Sequence, residues 1–296
     1  MDIAEALRDF LVSRRARLRP DEVGLPAHGI RRVTGLRREE VAALAALSVE
    51  HYTRLERGQA SRVSDAVLDA VADALRLSPG ERRYLRGLAR PTDRAEAGLP
   101  PDRRSGMQRV LDSMLLTPAY LVGRGGSVLA WNALAAAVFI DFARVHPDRR
   151  TVGRLVFTDP RARRVFVNWE EKARETVSYL RGEVGKWPHD PGLAREIGEL
   201  RACSAVFRRL WAEQVVQEND HANVLIACPA VGLLSLSAEA LHVAGHPDTA
   251  MAVYTAAPGS GSERGLRRLA RALAPGAAPA AARVAAPPSA DGPAGV

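Results

Sequence analysis

At 296 residues the chain is long enough for two domains that each bury a core, and 47% hydrophobic with 26% charged residues is the balance of a globular protein. No run approaches the roughly 20 apolar residues of a membrane span, and the opening MDIAEALRDF lacks the basic start and apolar stretch of a signal peptide, so a soluble, cytoplasmic chain with no membrane partner is expected. The net charge of +8 suits a polyanionic partner, but the cations are Arg apart from Lys172 and Lys186, as GC-rich coding sequence produces; more pointed is that residues 1–90 hold 17 Arg against 13 acids, half of the excess.

Apolar Ile3, Leu7, Phe10, Leu11 and Leu18 at helical spacing predict a first helix, capped by Asp2 and stopped by Pro20. A loop from Pro20 to Gly35 follows. Four helices are then expected over Leu36–Ala45, Val49–Arg57 (cap Ser48), Ser64–Leu75 and Pro79–Ala89 (cap Ser78), joined by spacers short enough to force a compact bundle. Proline-rich residues 91–105 read as a linker. Beyond it AYLVG and SVLAW, divided by Arg124-Gly125-Gly126, predict a hairpin; helices are expected over Ala133–Phe142, Arg161–Leu180 and Leu193–Trp211, and strands over Ala222–Ala227, Gly232–Val243 and Thr249–Ala256. GSGSERG at 259–265 reads as a connection to a helix over Leu266–Leu273, and residues 274–296 as a disordered tail. The fold class is therefore an all-α bundle (1–90) followed by an α+β domain (106–273) with an antiparallel sheet and helices packed on one face.

In LRREEVAALAALSVEHYTRLERG two short helices are separated by about three residues, and Ala42 and Ala45 are small enough to let them dock. That is the pattern of a helix-turn-helix, whose second helix lies in the major groove of DNA. On it Glu50, His51, Thr53 and Arg54 fall on the polar side, with Val49, Tyr52 and Leu55 expected inward. Arg54 is the candidate base reader, because a guanidinium bonds two guanine acceptors at once; Arg37, Arg38, Arg57, Arg62 and Ser48 are candidates for phosphate contacts. Glu56 can brace neighbouring Arg side chains and Gly58 can end the helix in a left-handed conformation. The segment resembles the first domain of Cro-repressor-like (XRE family) regulators of actinobacterial type over residues 5–90, through Ser48, Tyr52, Arg54, Leu55, Glu56 and Gly58. It departs at the turn, where the family has Gly and this chain has Ala46, an alanine that costs on the order of 1 kcal/mol if φ is positive there.

Residues 106–273 resemble the MmyB-like ligand-binding domain that follows such a helix-turn-helix, through TPAYLVGRGGSVLAWN, RLVFTDPRARRVFVNWEEKA, ELRACSAVFRRLW and VYTAAPGS in order. The resemblance implies a PAS-like fold and, from a related domain that holds a fatty acyl chain, an apolar ligand. The family's His-Pro before Val-Gly is replaced here by Cys228-Pro229. Read from the residues alone, Trp131, Phe139, Phe142, Phe157, Phe166, Trp169 and Trp211 either enclose such a ligand, with Asn132 and His221 fixing its head, or simply form the core. An enzyme is not expected: Cys203 and Cys228 as nucleophiles, with His221, His242 or His246 as bases, are lone residues outside any catalytic motif, and no metal or cofactor spacing is present. The expected function is a sequence-specific, homodimeric transcriptional regulator of double-stranded operator DNA, modulated by a small apolar or fatty-acyl ligand. The competing reading is a protein-interaction module of antitoxin or sigma-factor-antagonist type with only nonspecific DNA affinity.

Overall fold

The computed structural model describes residues 2–25, 35–59, 63–90, 99–214 and 221–274. The first half is a bundle of α1 (Ile3–Arg17), α2 (Arg38–Leu44), α3 (Val49–Glu56), α4 (Asp65–Ala74) and α5 (Pro79–Ala89). Its starts are set locally: Asp2 Oδ1 accepts from Ala4 N at 2.9 Å, and Ser78 with Glu81 closes a reciprocal capping box ahead of α5. Phe10, Leu36, Val41, Ala42, Tyr52, Leu55, Val71 and Leu85 are fully buried at its centre. The chain turns from α2 into α3 through Ala46 at φ 53°, a left-handed alanine.

The second half runs α6 (Pro101–Ser113), β1 (Ala119–Val122), β2 (Val128–Trp131), α7 (Ala133–Val138), α8 (Val152–Phe157), α9 (Ala162–Val165), α10 (Trp169–Lys186), α11 (Pro191–Cys203), α12 (Ala205–Ala212), β3 (His221–Cys228), β4 (Gly232–Val243), β5 (His246–Thr255) and α13 (Gly261–Leu273). The strands form one antiparallel sheet in the order β2-β1-β5-β4-β3, with Leu121 opposite Met251, Ala240 opposite Ala252 and Ile226 opposite Leu234. Tyr120, Val122 and Tyr254 belong to the main core, whereas Ala119, Leu121, Met251 and Val253 form a second apolar cluster with Leu99 and Leu111 around α6. Helices thus cover both faces, not the one face expected, because β1 and β5 are apolar on both sides.

Several expected elements are interrupted by tertiary demands. The helix expected over 161–180 breaks at Phe166, which bridges to Ile226 of β3 while Val167 N donates to Leu225 O at 2.9 Å. The one over 193–211 breaks at Ser204, extended and capping α12 through Phe207 N. The one from Ala133 stops at Val138, because Phe139 leaves the helical region. Residues 101–105 are helical rather than linker, and residues 261–265 are the first turn of α13, whose Ser262 Oγ accepts from Ser235 N of β4 at 2.9 Å. Residues 91–98 and the tail from 275 lie outside the described residues.

The two halves meet along α5 and α10. A Cβ at Gly87 would overlap the Gly185 carbonyl oxygen, and one at Gly185 would stand 2.5 Å from Tyr84 Cδ2 and 3.2 Å from Tyr84 Cα, so only paired glycines allow this approach. Around them Arg14 of α1, 3% exposed, pairs with Glu81 at 2.7 Å and donates to Gln214 O, while buried Arg181 of α10 stacks on Trp211 and donates to Gln214 Oε1 and Trp211 O. Burial pulls the Arg14 guanidinium down to about 10, still fully cationic at neutral pH.

Candidate DNA-reading face and ligand cavity

α3 begins at Ser48, whose Oγ accepts from His51 N at 3.1 Å, leaving its hydroxyl proton for an outside acceptor. Tyr52 and Leu55 point into the bundle, and Glu50, Arg54 and Arg57 are exposed with His51 and Thr53 half-buried beside them. Val49 does not face inward as expected: at the first position of the helix it is 47% exposed. The Arg54 and Arg57 side chains have no ion-pair or hydrogen-bond partner among the described residues and are exposed to solvent. Arg62 lies outside the described residues.

Glu56, next along α3, does the opposite. Its carboxylate is 1% exposed and accepts from Arg15 Nε at 2.9 Å, Arg15 Nη2 at 3.2 Å and Arg38 Nε at 2.8 Å. Burial alone would raise this carboxyl, but the hydrogen bonds and charges of Arg15 and Arg38 overcome it and hold it below the ordinary carboxylate value. One carboxylate thereby ties α1, α2 and α3 together. It also orients Arg38, whose side chain is still half-exposed, and Arg37 lies nearby, 3.8 Å from Glu39. Gly58 ends α3 at φ 83°, against α1: a Cβ there would meet Ala4 at 2.5 Å.

The second half forms a partly open cavity of about 170 Å³ between the sheet and α10. That exceeds the roughly 150 Å³ at which an apolar cavity holds benzene. Its walls are Tyr120 and Tyr254 from the sheet, Phe139, Phe142 and Phe166 from the connecting segments, and Lys172, Glu175, Thr176 and Tyr179 from one face of α10. The Tyr120 and Tyr254 hydroxyls are 2.9 Å apart, and burial pushes both phenols up, Tyr254 to about 12, so both are neutral hydrogen-bonding groups in an aromatic wall. Lys172 Nζ pairs with Glu175 at 3.2 Å.

Of the expected ligand residues, Phe139, Phe142 and Phe166 line this cavity. Trp131, Asn132, Phe157, Trp169 and Trp211 are not among its walls. Asn132 spends its amide on the backbone, donating to Leu111, Met114 and Thr117 carbonyls and accepting from Ala119 and Ala135 N–H groups. Trp131 packs between Phe142 and Arg150. Phe157, Trp169, Phe207 and Trp211 form a separate ring cluster, with Trp169 Nε1 donating to Val156 O at 3.1 Å. His221 begins β3 opposite Glu239. Tyr120, Tyr254 and the α10 face were missed. The spacing Lys172, Glu175, Thr176, Tyr179 at i, i+3, i+4, i+7 was the available signal for that face.

Among the described residues no helix is long and apolar enough to cross a membrane. Residues 104–269, more than half of the chain, match the model of the MmyB-like transcription regulator ligand binding domain, and residues 6–85 match that of a helix-turn-helix domain. No curated protein matches the chain significantly.

Proposed function

The chain belongs to the MmyB-like transcription regulators, and from that premise we propose that it reads a specific operator through α3 and that an apolar, acyl-like ligand in the aromatic cavity adjusts this reading. The observation that carries the DNA half is the contrast within one helix: the Glu56 carboxylate is committed to holding the bundle together, whereas Arg54, two residues earlier, is exposed without a partner among the described residues. In this reading Arg54 reads a base edge, with Glu50, His51 and Thr53 beside it, and Arg37, Arg38, Arg57, Arg62 and Ser48 hold phosphates. Two copies, paired largely through the second domain, bind half-sites about one helical turn or a multiple apart. The protein works in the cytoplasm, where its operator is.

The ligand half rests on α10. One face of this helix walls the cavity through Thr176 and Tyr179, and another carries Arg181 and Gly185 against the DNA-reading half. A ligand that favours one position of α10 shifts the heads by no more than its difference in affinity between the two positions.

Fluorescence anisotropy of the full chain on its own promoter and on a scrambled duplex, at two salt concentrations, tests the DNA half. Arg54→Ala is expected to lose about 1–3 kcal/mol of discrimination while keeping salt-dependent nonspecific binding. Equal loss on both duplexes would make Arg54 a phosphate contact only.

A further inference from the structure

The C-terminus of α12 is held from outside the helix. Arg181 of α10 donates to Trp211 O, Arg17 of α1 donates to Glu213 O at 2.7 Å, and Arg14 of α1 donates to Gln214 O. Carbonyls at a helix end lack partners within the helix and carry its negative pole, so cations are favoured there. α12 has two arginines of its own, but Arg208 donates to the Arg201 and Ala202 carbonyls and Arg209 pairs with the Glu213 carboxylate. Two of the three capping guanidiniums therefore come from the first half of the chain. Gln214 itself stands at φ 53°, a left-handed conformation that a non-glycine residue keeps only where its surroundings impose it.

The same turn of α1 grips α3. Arg15 follows Arg14 by about 100° around the helix, which turns its guanidinium to Glu56 at 2.9 Å and to the Leu36 carbonyl at 2.6 Å. Adjacent residues thus hold different helices: Arg14 the end of α12, Arg15 the carboxylate on α3. The N-terminal end of α1 repeats the arrangement, for Ala4 closes on Gly58 at the end of α3, while Asp2 and Ile3 share an open recess with Pro188, His189 and Pro191 between α10 and α11. α12 in turn reaches the aromatic cavity through rings. Phe207 and Trp211 stack at 5.4 Å, Phe207 meets Phe157 edge-on at 5.0 Å, and Phe157 closes α8, whose Leu155 and Val156 wall the cavity. The ring cluster outside the cavity is therefore what joins its wall to α12.

We propose that α1 is the positioning element of the DNA-reading helix, and that Arg14 and Arg17 are the residues through which the second half, by way of α12, sets it. This rests on the reading of α3 as the DNA-contacting helix and adds a route separate from the Gly87–Gly185 contact. DNA seated on α3 then bears on α12 as much as α12 bears on α3, because a coupling between two sites acts equally in both directions.

The test is hydrogen exchange of the full chain, free and saturated with a duplex of its own promoter, read in α3 and in residues 205–214. The parent is expected to exchange more slowly in both segments when the duplex is bound, in α12 by about fivefold, the lower end of couplings between distinct sites. Arg17→Ala removes an exposed side chain and is expected to abolish the slowing in α12 while keeping it in α3. Arg17→Lys, which can still donate to Glu213 O, is expected to restore it. Arg209→Ala removes a cation that pairs with Glu213 within α12, and is expected to behave as the parent. Slowing in α3 with none in α12 overturns the proposal, as does slowing in α12 that survives Arg17→Ala or is lost equally in Arg209→Ala. Loss in α3 as well as α12 on Arg17→Ala makes Arg17 a DNA contact and overturns it too. A parent in which the duplex does not slow α3 overturns the DNA reading of that helix, and this proposal with it.

Discussion

Replacing Glu56 by Gln removes the one anion that Arg15 and Arg38 share, and the structure divides the cost unequally between them. Arg38 is half-exposed and its guanidinium returns to water at little cost; Arg15 is 13% exposed and keeps the Leu36 carbonyl, at 2.6 Å, beside Tyr52. Removing one partner of a buried ion pair costs roughly 3–5 kcal/mol, and the shedding of Arg38 into solvent puts Glu56→Ala near the lower end. Gln retains one acceptor for the Arg15 fork, so Glu56→Gln is expected to cost about 2 kcal/mol. The pH dependence gives an independent check. The folded carboxyl lies below its ordinary value. Its stabilisation is therefore fully present above about pH 4.3, where the unfolded carboxyl titrates, and is lost as pH falls through the folded value. Urea unfolding of the full chain from pH 7 down to pH 3, followed through Tyr52 and Tyr84 in the bundle, reads both effects. Glu56→Gln should unfold at lower urea at pH 7 and show a shallower acid-side slope. A variant as stable as the parent, or one with the same slope, would mean that the Arg15–Glu56–Arg38 node does not hold the bundle.

Ala46→Gly relieves a left-handed alanine at φ 53°: the roughly 1–2 kcal/mol cost of αL for an L-residue outweighs the unfolded-chain entropy that glycine adds, about 0.4–1 kcal/mol, so a net gain near 0.5–1 kcal/mol is expected in the same urea assay, and a loss would show that the turn is not strained. Gly185→Ala forces a methyl group against Tyr84, which cannot retreat because its ring packs edge-on to Phe10 at 5.0 Å. Overpacking of this kind costs about 1–3 kcal/mol. The expected readout is faster hydrogen exchange in α5 with both halves still folded; unchanged exchange in α5 would mean that the Gly87–Gly185 contact is not close-packed.

What was legible in the sequence is what neighbours along the chain decide. Caps at Asp2, Ser48 and Ser78 fixed the starts of α1, α3 and α5, because each side chain satisfies N–H groups two or three residues away. The Arg124-Gly125-Gly126 turn set the β1–β2 hairpin, and β4 runs over Gly232–Val243 as expected. Interruptions were not legible where a distant partner imposed them. Nothing local to Phe166 disfavours a helix; it is extended because Ile226, sixty residues on, pairs with it. The same limit applied to the cavity. Aromatic residues were treated by size, so Trp169 and Trp211 ranked with Phe139, although only the sheet's two faces and the rotation of α10 decide which rings surround empty space.

α10 shows why its roles could not be separated before folding. Read as a sequence it is one amphipathic stretch, WEEKARETVSYLRGEVGK, whose apolar stripe could face a single core. In the structure the stripe is shared: Ala173, Val177, Leu180 and Val184 are buried along its length, Thr176 and Tyr179 turn to the aromatic cavity, and Arg181 and Gly185 turn to the bundle. A helix that served only the sensor core would have no need of a glycine at 185, where alanine propagates a helix better by about 1 kcal/mol. The glycine makes sense only opposite Gly87, as the point where two backbones touch. In the function proposed above, this backbone contact is the stiff point through which a displacement of α10 by an occupant would reach α5.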